Sequence, residues 1–278
     1  MRKIIALIEN LSLHVVAGSI CSALFASFVL DVTLPLWWLV CLGLAVWFIY
    51  TLDHLCDARL NRGRINNSRH QFHEQHFKKL FVVLLLTGLT GVLVFIRFAS
   101  VQMWISAGVL AGLALIHILL VSSSVFSRKF WLQKEIQIAL IYSVGIWLGA
   151  LHLKEKPFDI QVIMVFLSFT ILAWWETSFI ALNERETDLK QQSISLATRL
   201  GDQKTKKLLL LLLVLQLVFS SVQLLLFEGP IDKANLILIA MGLAFVFLFL
   251  IRKYLFKAGL LHFVGELIFC LPVFVFLI

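Results

Sequence analysis

Charge is what this sequence has least of: only 14% of its 278 residues are Asp, Glu, Lys or Arg, while 60% are apolar. A water-soluble fold cannot hide that much apolar surface, so the composition excludes the soluble classes. Proline is scarce as well. Pro35, Pro157 and Pro230 stand just before or at the start of apolar runs, where a missing N–H costs a helix nothing, and Pro272 lies inside the last run, where a kink is tolerated in a membrane. The four cysteines, Cys21, Cys41, Cys56 and Cys270, all fall in or at the ends of apolar runs and have no metal-ligand spacing, which reads as packing. The basic N-terminus is followed by no clear small-residue cleavage site, which argues against a removable signal peptide.

What is abundant is long apolar sequence. A helix rising about 1.5 Å per residue needs roughly 20 apolar residues to cross a hydrocarbon core of about 30 Å. Nine segments meet that need: 11–30, 35–56, 80–97, 102–122, 134–152, 159–182, 206–226, 231–251 and 256–277. The expected architecture is therefore all-α, a single polytopic domain over 1–278. The net charge of +8 would suggest nucleic acid in a soluble protein, but here its distribution matters more. With the N-terminus cytoplasmic and the C-terminus outside, Arg97, Lys154, Lys156 and Lys233 fall on outer segments and the other 20 of the 24 Lys and Arg on inner ones. That bias emerges only if the spans before each loop are counted correctly, so it supports the count and the orientation together.

Two inner segments, about 57–79 and 183–205, are long and polar. Superposing Asp53 on Glu184 also brings Phe48-Ile49 onto Phe179-Ile180, Asp57 onto Asp188 and Arg59 onto Lys190, a faint repeat that suggests two pseudo-equivalent halves around one site. Asp53, Asp57 and Asn61 recur every four residues and share a helix face if the second span runs on; Glu184 and Asp188 repeat the spacing at the end of the sixth. Like charges at that spacing destabilise a helix, and desolvation near lipid adds to the cost. A divalent cation compensates. Mg²⁺ prefers hard oxygen ligands and is commonly held by one or two carboxylates together with substrate phosphate oxygens, so two facing acidic clusters suit a diphosphate clamped through metal. Arg69, Arg128, Lys129 and Lys134 lie on inner segments and suit phosphate oxygens.

These motifs resemble those of the UbiA-type family of intramembrane prenyltransferases, which has nine transmembrane helices, an Asn-x-x-x-Asp-x-x-x-Asp motif after the second and an Asp-x-x-x-Asp motif after the sixth. Here the first reads Asp53-His-Leu-Cys-Asp57-Ala-Arg-Leu-Asn61 and the second Glu184-Arg-Glu-Thr-Asp188, continuing through Ser195, Ala197 and Gly201. Asp53 stands where Asn is usual, Asn61 where Asp is usual, and Glu184 where Asp is usual. Arg69 falls where the family has an arginine, but is followed by His70-Gln-Phe-His73 and not a proline-containing turn; Arg128 and Lys129 resemble its diphosphate-binding pair.

The resemblance implies a helical bundle around a central apolar chamber in a bacterial plasma membrane, with its active site facing the cytoplasm. It implies Mg²⁺-dependent transfer of a prenyl group from a prenyl diphosphate to a lipophilic or aromatic acceptor. Asp53, Asp57, Asn61, Glu184 and Asp188 would hold metal, with Asp53, Asp57, Glu184 and Asp188 as the catalytic acids, and Arg69, Arg128, Lys129 and Asn61 would bind substrate. Membrane lipid is an expected partner; nucleic acid and a protein partner are not. Aromatic faces can stabilise an allylic cation, and 24 Phe and 8 Trp supply many candidates.

Three other readings compete. The acids also read as solvated helix ends, and the scaffold as a non-catalytic lipid-binding or transport protein. His70, His73 and His76, with His54 near, invite a histidine-box metal oxidoreductase, but their spacing spreads them around roughly 300° of an ideal helix. Residues 66–79 also read as a basic amphipathic segment at the interface, fit to cap a polar site.

Overall fold

The computed structural model describes residues 2–60, 68–122, 134–154, 159–191 and 193–278; at 2, 3, 57, 60, 68–70, 120–122 and 191 it describes the backbone alone. Asn61, Arg128 and Lys129 lie outside the described residues, as do the side chains of Asp57 and Arg69.

The helices are α1 Arg2–Asn10, α2 Leu13–Leu30, α3 Leu36–Leu60, α4 Ser68–Gln75, α5 Phe77–Phe98, α6 Val101–Ser122, α7 Lys134–Leu153, α8 Ile160–Gln191, α9 Leu196–Leu200, α10 Asp202–Leu226, α11 Pro230–Ala258 and α12 Leu261–Leu267, followed by a 3₁₀ helix, η1, at Ile268–Phe276. Among the described residues there is no strand. Eight of these helices are long and apolar enough to cross a membrane. Lipid offers the backbone no partners, so helices that satisfy their own N–H and C=O groups are the expected solution.

The ninth expected span differs in form. Gly259, with φ +69°, ends α11 by the left-handed cap typical of glycine, and the Leu260 N–H bonds back to Leu255 O. The chain then re-enters as α12 and η1. Their seven residues at about 1.5 Å and nine at about 2.0 Å extend about 28 Å, so a segment of only Leu261–Phe276 still covers a hydrocarbon core. Pro272, which has no N–H to give, sits inside the 3₁₀ stretch.

Local sequence explains the other boundaries. Asp31 in the left-handed region closes α2 with its N–H on Phe28 O, and Pro35 immediately precedes α3. Pro230 opens α11 at its first turn, and the Asp232 carboxyl accepts the Gly229 N–H. The segments 57–79 and 183–205 are not mainly loop: α3 runs on to Leu60, α8 to Gln191, and α4 intervenes.

α2 and α8 form the centre, burying 61% and 56% of their apolar windows against 17% for α5 and α6, whose exposed leucines and valines meet lipid. α2 earns its place through small residues. Gly18, Ser19, Ser22, Ala23 and Ala26 let neighbouring backbones close in, and a β-carbon added at Gly18 would stand 3.1 Å from Phe269 Cβ. Phe25, Trp147, Phe169, Tyr142, Phe269 and Phe245 meet in stacked and edge-on contacts that fill the middle of the bundle. Between α8, α10 and α11 the glue is polar: Gln216 Nε2 donates to Ser220 Oγ and Leu238 O, and Ser220 Oγ donates to Ser168 Oγ.

Contacts between chain-distant ends fix the up-and-down alternation. At one end Ser12 meets His54, and Arg185 meets Asp202; at the other Lys154 donates to Leu30 O and Lys233 to Ile278 O. The end carrying the acidic helix termini is called the inner end below.

Candidate active site

Because α3 continues helically past the apolar run, Asp53 and Asp57 stand one turn apart on the same side of its inner end. Glu184 and Asp188 do the same on α8. Both pairs therefore belong to the inner end of the bundle.

Glu184 Oε1 lies 3.2 Å from His262 Nε2, which ties α8 to α12. Asp188 is close enough to Ser195, Lys134 and Glu184 to interact with all three. Lys134 is thus the basic residue that the structure sets beside the second motif. Asp53 interacts electrostatically with Tyr50 and His117, and His117 Nδ1 is 2.8 Å from Gln137 Oε1 on α7. Asp53 therefore lies toward α6 and α7.

The stretch after the second motif is built to hold Asp188 in place. Ser195 caps α9, accepting the Thr198 N–H while Thr198 Oγ1 accepts the Ser195 N–H. Leu196 N–H donates to Glu135 Oε1 at 2.8 Å, and Glu135 itself is 2% exposed. The Thr177 hydroxyl donates to the Glu135 carbonyl, so one residue at the start of α7 ties both α8 and α9. Arg185 Nε donates to Ala197 O. Gly201, at φ +76°, turns the chain between α9 and α10, a conformation that a side chain would strain.

Among the described residues, no three His, Cys, Asp or Glu converge as a metal site. Of the expected histidine box, His70 has no described side chain; His54 and His73 are buried with ring centroids 5.1 Å apart, and His76 Nδ1 is occupied with Phe72 O at 2.9 Å. α4 packs on α1 and α3, which places the amphipathic segment at the inner end of the bundle.

Sequence reading missed a second set of polar residues deeper in the bundle. Tyr50, Tyr142, Glu176, Thr177 and Glu266 line a cavity of about 30 Å³ together with Val15, Ala139 and Phe269. Glu266 pairs with His14. The signal was available: Glu176 and Glu266 are acids inside apolar runs, and such residues are functional candidates by default. Tyr50 of α3 and Glu176 of α8 facing one cavity also shows that the two motif-bearing helices meet around a common space, one turn below Asp53 and about two turns below Glu184.

A UbiA homologue from Archaeoglobus fulgidus bound to GPP and Mg²⁺ superposes with a TM-score of 0.67 at 13% identity, covering 98% of this chain and 99% of that one. The chain has the UbiA fold. A UbiA homologue from Archaeoglobus fulgidus bound to DMAPP and Mg²⁺ gives a TM-score of 0.63 at 14% identity, over 97% and 98% of the two chains. A digeranylgeranylglyceryl phosphate synthase gives 0.50 at 18%, over 98% and 95%. No protein-family model matches the chain, and neither does any curated protein sequence. The likeness extends over nearly the whole of both chains.

Proposed function

We propose that this UbiA-fold protein transfers a prenyl group from a prenyl diphosphate to a lipophilic or aromatic acceptor inside the membrane, with Mg²⁺ as cofactor. The observation that carries the reading is the end-to-end likeness to homologues bound to GPP or DMAPP and Mg²⁺, in a chain whose own acids end α3 and α8 at one end of the bundle.

The residues fit the metal by donor chemistry. Asp53, Asp57, Glu184 and Asp188, with Asn61, are all hard oxygen donors, and the carboxylates come in pairs one helical turn apart. Mg²⁺ demands few protein ligands because water and substrate phosphate complete its octahedron, so two incomplete carboxylate sets suit it better than one closed cage. When bound, Mg²⁺ supplies charge stabilisation to the departing diphosphate. The chain's own part is to orient and neutralise. Arg69, Arg128 and Lys129 are assigned to the diphosphate oxygens, joined by Lys134. His262 and Ser195 hold Glu184 and Asp188 in place. The aromatic core keeps water away from the reacting carbon and offers ring faces to a cationic prenyl group. We place the inner end in the cytoplasm, from the excess of Lys and Arg on inner segments, and the protein in a bacterial plasma membrane.

The test uses purified protein, Mg²⁺ and geranyl diphosphate. Release of diphosphate by the wild type, abolished by Asp57→Ala and by Asp188→Ala, is expected. Unchanged release in both variants refutes the mechanism.

A further inference from the structure

Resting on that reading, we propose that the cavity beneath the two acidic helix ends is the subsite for the acceptor's hydroxyl group, and that Glu176 takes its proton. The established likeness concerns the diphosphate end of the reaction; this cavity concerns the other reactant.

Glu176 is 7% exposed and lines the cavity, yet among the described residues no donor reaches its Oε1. A buried acceptor without a partner costs about 1–3 kcal/mol, and intramembrane acids are retained for a use. The carboxyl faces α12: a β-carbon added at Gly265 would lie in ordinary contact with Glu176 Oε1, at 3.7 Å. The second acid, Glu266, is paired with His14, and it is close enough to Glu176 for the two to interact. Tyr50 and Tyr142 complete the polar lining; Val15, Ala139, Ala173 and Phe269 complete the apolar part.

Size and charge define the ligand. A volume of about 30 Å³ holds a water or a hydroxyl group but not a bulky head. An unpartnered carboxyl oxygen calls for a donor, and a buried site that already holds two acids has no cation to spare for a ligand anion. The fitting group is a neutral hydroxyl, alcohol or phenol, and not a carboxylate or phosphate. Position agrees with the chemistry. Tyr50 is three residues before Asp53 and Glu176 eight before Glu184, so the cavity lies about 5 to 12 Å along the helix axes from the acids assigned to metal and diphosphate.

In the transfer, the bond between the prenyl carbon and the diphosphate oxygen breaks, with the electron pair leaving on diphosphate. A lone pair of the acceptor oxygen forms the new carbon–oxygen bond. The O–H bond then breaks, its electrons remaining on oxygen and its proton passing to Glu176 Oε1.

The experiment uses the full chain in nanodiscs and a matched pair of probes, 4-butylphenol and 4-butylbenzoate, titrated calorimetrically against empty nanodiscs. The wild type is expected to bind the phenol at least 10-fold more tightly. Glu176→Gln is expected to cut that preference at least fivefold while leaving the affinity for geranyl diphosphate with Mg²⁺ within twofold. Glu176→Asp, which withdraws the carboxyl by one methylene, serves where the glutamine variant does not fold; it is expected to weaken phenol binding yet retain the preference. With geranyl diphosphate, Mg²⁺ and the phenol, Glu176→Gln is expected to lower kcat for the aryl ether at least 10-fold while diphosphate release continues. An equal preference for the two probes, or one unaffected by Glu176→Gln, overturns the subsite. Diphosphate release without ether formation by the wild type overturns the proton-accepting role. A wild type that releases no diphosphate overturns the prenyl-transfer reading instead, and the probe preference still decides the subsite.

Discussion

Replacing Glu135 by alanine tests whether the second acidic motif depends on a residue outside it. In the native chain the Glu135 carboxyl accepts the Leu196 N–H at 2.8 Å, and Leu196 is itself 2% exposed. Alanine leaves that donor buried without a partner, at about 1–3 kcal/mol. The strain falls on 193–200, where Ser195 caps α9 and stands close enough to Asp188 to interact with it. If this segment loosens and has to re-form when substrate binds, the whole penalty appears in affinity, because a site competent only part of the time binds more weakly by that fraction. At about 1.4 kcal/mol per tenfold, equilibrium dialysis of labelled geranyl diphosphate with Mg²⁺ is expected to show binding weakened roughly 5- to 150-fold. Glu135→Gln keeps an acceptor oxygen and is expected to stay within a few-fold of wild type. An alanine variant that remains folded by circular dichroism and binds within twofold of wild type refutes the reasoning. A glutamine variant as weak as the alanine one shows that the hydrogen bond is not what matters.

Other substitutions probe packing and the metal. Gly149→Val puts methyl groups into the indole ring of Trp38 and is expected to cost about 1–3 kcal/mol, read as a lowered midpoint in detergent-induced unfolding; an unchanged midpoint counts against this interface. Gly201→Ala forces a side chain into φ +76° at the α9–α10 turn and is expected to destabilise by about 1–2 kcal/mol, while Gly112→Ala, with no atom within 4 Å of the added carbon, serves as the neutral control. Gln216→Leu removes one interhelical donation, to Leu238 O, worth about 0.6 kcal/mol in a membrane protein, along with a bond to Ser220 inside α10, so a loss of roughly 0.6 kcal/mol or slightly more is expected in the same unfolding measurement. Chelation of Mg²⁺ is expected to abolish binding of geranyl diphosphate but not of 4-butylphenol, since the two sites use different residues; parallel loss of both argues for a single site.

The architecture was legible because a membrane makes its demands residue by residue. Each helix satisfies its own backbone, so apolar length alone marked the eight helices that are long enough to cross a membrane. The last expected segment, 256–277, takes another form, a shorter apolar stretch over Leu261–Phe276, since nothing in apolar content distinguishes an α-helix from the longer-stepping 3₁₀. The acidic motifs were legible for a related reason, as i, i+4 carboxylates at the mouth of an apolar helix are costly and conspicuous. Their shared face required the second span to run on as helix, and α3 and α8 do carry the acids onward, because local polarity does not end a helix that neighbours still support.

Glu135, His14 and the Glu176–Glu266 pair were not legible as a site. Each looks like an isolated oddity in its own helix. Sequence by itself determined the helices and the acidic pairs at the ends of two of them, which follow from one-dimensional patterns of hydropathy and charge. Only the tertiary structure decided that α2, α3, α7, α8 and α12 share a small polar cavity, and that a residue opening α7 caps the segment behind Asp188. Those facts depend on which helix faces meet, and lipid, being as apolar as leucine, leaves that choice to small residues and close packing that no single helix encodes.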